Sequence, residues 1–287
     1  MAHPQIAIFA RLAKEGDEPL RKIFGQATKL SRTMHDIRYD EVHDEIFVTN
    51  PFAQAILAFR GDADGNADPI RVIQGPKTGL GGADTLGLDS VNEELVLPER
   101  EGDGFLVFSS QADGDVAPLR HFYPGPDSKT KWVGSRGIGI DPIHNVIVTD
   151  GTLEDGSPGG DYDGGRDSIL IFDRLANGAV EPLRVIRGPK TGIHGIRQLQ
   201  VYPGKGWIIV AQITDGGIPI PEGTFVGVWS INDSGNVPPR WKIPGHGYPD
   251  NIMQKPRGVV LNPKHKELIV SDMRLNAVLT FYFPEIF

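Results

Sequence analysis

Residues 69–74 read Pro-Ile-Arg-Val-Ile-Gln, and the Pro-x-Arg triplet that opens this stretch occurs five times in the chain. The copies begin at Pro19, Pro69, Pro118, Pro182 and Pro238. Consecutive copies are 50, 49, 64 and 56 residues apart. A repeat of about 50 residues with no helical pattern inside it is typical of β-propellers, in which each repeat forms one blade. The sequence therefore predicts an all-β protein, with a single β-propeller domain over residues 1–287.

Each repeat contains four short runs rich in Val, Ile, Leu and Phe and bounded by Gly, Pro, Asn or Asp, which is the pattern of antiparallel strands. The strands predicted for blades one to four are 35–40, 45–49, 55–59 and 69–74; 84–89, 94–98, 104–109 and 118–123; 136–141, 146–149, 168–173 and 182–187; 197–202, 207–211, 225–230 and 238–243. The fifth blade has three, at 257–262, 267–271 and 277–283.

The N-terminal runs 5–10 and 19–24 match the third and fourth strands of the repeat. We expect residues 19–24 to join the C-terminal blade as its missing outer strand, because such closure removes the free sheet edges of an open ring. Strand 5–10 is then surplus. Five blades are preferred, and six remain the alternative.

Composition excludes several classes of partner. The net charge is −8 and no basic stripe is present, so nucleic acid is not expected as a partner. The chain has no cysteine, which excludes disulfides and thiolate chemistry. No apolar run is long enough to span a bilayer, and the first residues show no signal-peptide pattern. A soluble protein is expected, and its compartment stays open because an exported protein without its leader would look the same.

One face of the predicted ring carries two sets of polar residues. In an antiparallel blade, the loop entering strand one and the loop leaving strand two lie on the same face. The five entry positions, nearest the central channel, are His35, Asp84, Arg136, Arg197 and Arg257. The five exit positions are Asn50, Glu99, Asp150, Gln212 and Asp272. Polar groups crowded at a channel mouth indicate a ligand site.

The arginines of this face have two interpretations. Arg136, Arg197 and Arg257 are predicted to bind an anionic group of a small-molecule substrate, for which the guanidinium fork is suited. Asp150 and Asp272 are predicted as further substrate contacts. Alternatively, each entry arginine pairs with an exit acid and ties the blades together, and both arrangements can coexist.

Three of the eight histidines lie in, or at the end of, the loops that enter strand one. These are His35, His194 and His246, in blades one, four and five. Three imidazoles, with Asp84 or Asp36 as a further group, would suit a zinc, copper or iron ion with one open position. The alternative is that each is solvated or bonded to the backbone.

Two insertions, residues 151–167 and 212–224, follow strand two of blades three and four on the same face. The first is rich in glycine and aspartate, which makes calcium another candidate metal, although a mobile lid is the commoner role of such a loop. Tyr162 and Asp163 at its tip are candidate acid–base groups.

The phrases Arg136-Gly-Ile-Gly-Ile-Asp141, Val146-Ile-Val-Thr-Asp150 and Ile169-Leu-Ile-Phe172 together resemble the NHL-type repeat of the TolB-like propeller superfamily. Its members include gluconolactonase-type lactonases, amidating lyases and interaction modules. Met34-His35-Asp36-Ile37 and His194-Gly195-Ile196-Arg197 are similar to the zinc-histidine phrases of peptidyl-hydroxyglycine amidating lyases. The resemblance implies a metal near the propeller axis. The disulfide pattern of those lyases is absent, and only Asp84 fits the gluconolactonase-type site.

These patterns favour a metal-dependent enzyme, a hydrolase or a lyase, with its site at the channel mouth. It would act on a small anionic substrate or on an ester or lactone. His35, His194 and His246 would hold a divalent metal that acts as a Lewis acid or activates water. Asp84 or Glu99 would serve as general base, with Tyr162 as a further catalytic candidate. The alternative is a non-catalytic propeller that binds a protein or sugar.

Overall fold

The computed structural model describes residues 4–32, 34–99, 104–128, 130, 132–133, 136–153, 167–213, 223–245 and 252–287. These residues form small antiparallel sheets in the arrangement of a five-bladed β-propeller, which confirms the predicted fold class. The chain divides into two compact units, Met1–His121 and Phe122–Phe287. A single domain over residues 1–287 stays a prediction. In the described part of the chain, no helix is long and apolar enough to cross a membrane.

The first unit contains an N-terminal hairpin and the strands of blades one and two. Its strands are β1 (Gln5–Ile8) and β2 (Arg21–Phe24); β3 (Ile37–Asp40), β4 (Glu45–Asn50), β5 (Ala55–Arg60) and β6 (Arg71–Gln74); β7 (Gly87–Asp89), β8 (Glu94–Pro98), β9 (Phe105–Ser109) and β10 (Arg120–Tyr123), which runs across the boundary of the units. Strands β1 and β2 pair with each other, and the strands of each blade pair in chain order.

The second unit contains blades three to five. Its strands are β11 (Trp132–Val133), β12 (Ile138–Asp141), β13 (Val146–Leu153), β14 (Asp167–Asp173), β15 (Gly178–Ala179) and β16 (Arg184–Ile186); β17 (Gly195–Tyr202), β18 (Trp207–Ile213), β19 (Phe225–Ser230) and β20 (Trp241–Pro244); β21 (Pro256–Asn262), β22 (Glu267–Asp272) and β23 (Ala277–Tyr282). Strands β21 to β23 form a three-stranded sheet. Its completion by residues 19–24 stays a prediction.

Short 3₁₀ helices connect or end some of the strands. They span Gln26–Thr28, Pro51–Ala53, Pro76–Thr78, Pro189–Thr191 and Pro284–Ile286.

Apolar layers between successive sheets form the core. In the first unit, Phe47 and Ile56 of blade one pack with Leu95 and Phe108 of blade two. In the second unit, side chains of blades three and four form one such cluster, and those of blades four and five form another. In blades one to four the second and third strands are largely buried on both faces, which explains why they read as continuous apolar runs.

The Pro-x-Arg triplet starts the outer strand of a blade. Its proline, which has no N–H, precedes the hydrogen-bond ladder of the outer strand. The next residue donates the first backbone hydrogen bond of that ladder, as Ile70 N donates to Ala58 O at 2.8 Å. Arg71 binds Glu45 at the start of β4 through Nη1 and Nη2, and Arg120 binds Glu94 in the same way at 2.6 and 2.9 Å. In blades one and two the triplet arginine therefore joins the outer strand to the second strand.

The fourth blade departs from this register. Arg240 N donates the bond to Val228 O that the middle residue of the triplet donates in other blades. Trp241 therefore stands where the other triplets have arginine, and Arg240 pairs with Asp233 at 2.7 Å. The sequence alignment was wrong by one residue here because Pro238 and Pro239 offer two ways to align the triplet.

The repeated Gly-Pro-Lys-Thr-Gly phrase is also structural. Gly75 has φ +138°, and Lys77 N donates to the Asp115 carboxylate of the next blade at 2.7 Å. In the second unit Lys190 N donates to Asn236 Oδ1 at 2.8 Å. These bonds fasten one blade to the next, so the phrases carry no chemistry of their own.

Candidate functional site

The exit residues of the second unit hold the loops that enter strand one. Asp150 Oδ1 accepts hydrogen bonds from Arg136 N and Gly137 N at 2.8 and 2.7 Å. Gln212 Oε1 accepts from His194 N at 2.7 Å, and Asp272 Oδ2 accepts from Lys255 N at 2.9 Å. The same bond recurs in three successive blades. These three side chains therefore fix the entry backbone, whereas direct substrate contacts by Asp150 and Asp272 stay predictions.

The exit residues of the first unit differ from this pattern. Asn50 Nδ2 donates to Lys29 O at 2.9 Å. Glu99 Oε2 lies 3.0 Å from Nε2 of His121, a residue that the sequence placed only on an outer strand. Its role as a general base stays a prediction, and an imidazole is already bonded to it.

Two aspartates lie on the same face of neighbouring strands in blade three. Asp150 of β13 pairs with Ile169 of β14 in the ladder, and Asp167 precedes Ile169 by two residues. Side chains alternate between sheet faces, so Asp150 and Asp167 are diagonal neighbours. Sequence reasoning left Asp167 out of the site because the register that relates it to Asp150 cannot be read along the chain.

The environment of Asp150 favours its protonated form. The side chain is buried, and burial raises the pKa to about 7, with the negative charge of Asp167 as the second cause. The two backbone N–H groups and the Arg136 charge act in the opposite direction but do not compensate. Asp150 is therefore a carboxyl group poised to titrate near neutral pH.

Asp167 connects the first entry arginine to the next blade. Its Oδ2 lies 3.8 Å from Arg136 Nη1 and accepts a hydrogen bond from Ile196 N at 2.9 Å. Ile196 immediately precedes Arg197 in β17. The Arg136 side chain remains 50% exposed, which leaves its guanidinium available to a ligand.

The three strands that begin with these arginines lie side by side. A Cβ on Gly137 would lie 2.6 Å from Leu199 N, so β12 packs directly against β17. Val259 N of β21 donates to Gln198 Oε1 of β17 at 2.7 Å. Arg136, Arg197 and Arg257 each precede one of these contact residues. Arg197 is partly buried, while Arg136 and Arg257 are exposed. Arg136 and Arg257 therefore belong to the two segments that flank the strand of Arg197.

His35 and Asp84 meet in the first unit. His35 Nδ1 lies 3.6 Å from Asp84 Oδ1, and both side chains are about half exposed. The residues that follow them are clamped together, because the buried Asp36 carboxylate accepts bonds from Thr85 Oγ1 at 2.7 Å and Leu86 N at 3.1 Å. Arg38 Nη2 contacts the same carboxylate oxygen at 3.0 Å. These bonds fix the backbone that follows His35 and the backbone that follows Asp84.

The metal centre stays a prediction. His35 belongs to the first unit and His194 to the second, while His246, Tyr162 and Asp163 lie outside the described residues. Within the described ranges, no three His, Asp or Glu side chains are grouped so that they could hold a metal ion. Most of the acidic insertion proposed for calcium also falls outside them.

No protein-family model matches the chain, and no curated protein matches it. Similar solved structures include a chain of a nidogen–laminin complex, with a TM-score of 0.59 and 11% identity over 98% of this chain and 91% of that one. A chain of a mitotic checkpoint complex has a TM-score of 0.58 and 13% identity over 98% and 70%. Hydrazine synthase of Kuenenia stuttgartiensis has a TM-score of 0.52 and 14% identity over 88% and 77%. At these identities the likeness shows a β-propeller fold and no family.

Proposed function

We propose that the protein binds a small anionic molecule on the entry-loop face of its second unit, through Arg136, Arg197 and Arg257. The observation that carries the proposal is the side-by-side packing of β12, β17 and β21, each of which has one of these arginines within two residues of its first residue. Guanidinium groups bind carboxylates and phosphates through paired N–H donors.

The local charge supports an anionic ligand. Asp167 lies next to Arg136, and the 3.8 Å between Asp167 Oδ2 and Arg136 Nη1 is longer than a hydrogen bond. Asp150 is turned to the entry backbone and is buried. Arg136 therefore keeps positive charge that a ligand can neutralise, although the whole chain is acidic.

Titration with sulfate and with succinate, followed by NMR of the arginine side chains, tests this proposal. Arg136→Ala and Arg257→Ala should each weaken binding about tenfold or more, the loss expected for a charge-assisted hydrogen bond. Arg174→Ala is the matched control, because Arg174 follows the opposite end of β14 and donates to Asn145 Oδ1. Equal affinities in the wild type and both site variants would refute the proposal.

A second candidate function adds catalysis to binding. We propose a metal-dependent hydrolase or lyase related to the NHL-type propellers, with His35, His194 and His246 as metal ligands. The positioned His35–Asp84 pair supports it, since a carboxylate beside a ligating imidazole orients the ring in metal sites. Asp84 or Glu99 would accept the proton in this scheme.

Elemental analysis distinguishes the two candidates. Purified protein should contain a stoichiometric divalent metal, and the triple variant of His35, His194 and His246 to alanine should lose it. His265→Ala, in the turn before β22, is the control that should retain it. Negligible metal in wild type and triple variant alike would leave the non-catalytic, ligand-binding propeller as the function.

A further inference from the structure

The Asp150–Asp167 pair joins the entry loop of blade three to the anion site. Asp150 is buried, and it acts through the backbone of Arg136 and Gly137. Asp167 is mostly buried, with 12% of its side chain exposed, and it faces the Arg136 guanidinium. One carboxylate therefore positions Arg136, while the other competes with a ligand for it.

In the part of the chain that the structure describes, the charged groups placed near this pair are few. Arg136 approaches from the segment before β12, Asp167 from β14, and Arg197 and His194 from the start of the adjacent β17. Strand β11 brings only Trp132 and Val133, which carry no charge. Asp141 and Asp173 lie at the other ends of β12 and β14. The protonation state of Asp150 is therefore a large part of the charge balance around Arg136.

We infer that anion binding at Arg136 is coupled to the uptake of one proton by Asp150, which makes Asp150 a positioning residue that also sets the pH dependence of the site. The inference rests on the proposed function. With both carboxylates ionised, two negative charges oppose an incoming anion. Protonation of Asp150 removes one of them and leaves Oδ1 able to accept the bonds from Arg136 N and Gly137 N.

The direction of the effect follows from linkage. Asp150 titrates near neutral pH because burial raises its pKa to about 7. Affinity for an anion should then rise as the pH falls through this region. One group takes up at most one proton, so affinity changes by at most about tenfold per pH unit.

Sulfate is a suitable probe because its charge is the same at every pH used. The wild type should bind sulfate roughly three- to thirtyfold more tightly at about pH 6 than at about pH 8.5, the range expected for removing one charge near the site. Asp150→Asn should bind equally at both pH values, as tightly as the wild type at the lower one. Asp173→Asn, at the far end of β14, should keep the wild-type dependence.

Calorimetry in two buffers of different ionisation enthalpy measures the proton directly. Near neutral pH, the wild type should take up a fraction of a proton on binding sulfate, and Asp150→Asn should take up none. An unchanged pH dependence in Asp150→Asn, or equal wild-type affinity at both pH values, would overturn the coupling while anion binding stands. Absence of sulfate binding at either pH would end the proposed function, and the coupling with it.

Discussion

Replacing Asp150 with asparagine should stabilise the fold by a margin that grows between about pH 4 and pH 7, and should leave the stability nearly unchanged below about pH 3. Asparagine has almost the same shape, and its Oδ1 can accept the same two backbone bonds that Asp150 Oδ1 accepts. The substitution therefore removes a buried titratable charge while the entry loop keeps its anchor.

The magnitude follows from the shift in the Asp150 pKa, from 3.8 to about 7. Below about pH 3 the carboxyl group is mostly protonated in both the folded and the unfolded chain, so its contribution is constant. As the pH rises, the unfolded chain ionises first, and the folded chain must then hold a buried charge. The folded state loses up to about 4 kcal/mol by the time the pH passes 7, at about 1.4 kcal/mol per pKa unit.

Urea unfolding followed by tryptophan fluorescence, at several pH values between about 4 and 9, measures this difference. The free energy of unfolding of Asp150→Asn should exceed that of the wild type increasingly with pH. The excess should level off above about pH 8. Parallel curves, or a variant less stable than the wild type in alkali, would refute the reasoning that the folded protein bears the cost of a buried charge.

Three further predictions concern groups with different environments. Asp272→Asn should destabilise the protein by about 1–3 kcal/mol at neutral pH, measured by urea unfolding. Burial raises the pKa of this carboxylate, but four backbone N–H groups that bind it lower the pKa by more. An unchanged unfolding midpoint would contradict this prediction. Arg120→Ala should cost about 3 kcal/mol in the same assay, because it removes the bidentate partner of the mostly buried Glu94, and a loss no larger than that of Arg174→Ala would count against it. NMR titration should give His43 a pKa above 6.5, because the Asp40 carboxylate is hydrogen-bonded to its ring. If Asp40→Asn leaves the His43 pKa unchanged, Asp40 is not the cause of the shift.

The fold could be read from the sequence because each blade repeats the same local chemistry. Turn glycines, apolar runs and the triplet prolines recur with one period, and the strands begin and end within about three residues of the predicted limits in most cases. The exceptions have local causes. Strand β13 continues to Leu153 because it pairs with β14 up to Asp167, and β20 begins late because two prolines precede it.

The site was predictable only as a set of positions. The alternating direction of the strands placed polar residues on one face. It could not show that Asp150, Gln212 and Asp272 bind backbone N–H groups. The partners of an exit side chain depend on how the entry loop folds back over the strand end. Asp167 was grouped only with the acidic insertion as a possible calcium ligand, since its proximity to Asp150 is a matter of ladder register. The predicted metal centre needs groups from both units and from outside the described residues, so it remains a hypothesis.

The entry arginines of the second unit are proposed to bind an anion. A crystal structure of the protein grown with selenate, located by its anomalous signal, tests it most directly. Selenate should be bonded to the guanidinium groups of Arg136 and Arg257, and it should be missing from this site in Arg257→Ala. Well-ordered arginines without selenate, in crystals that bind it elsewhere, would contradict the account.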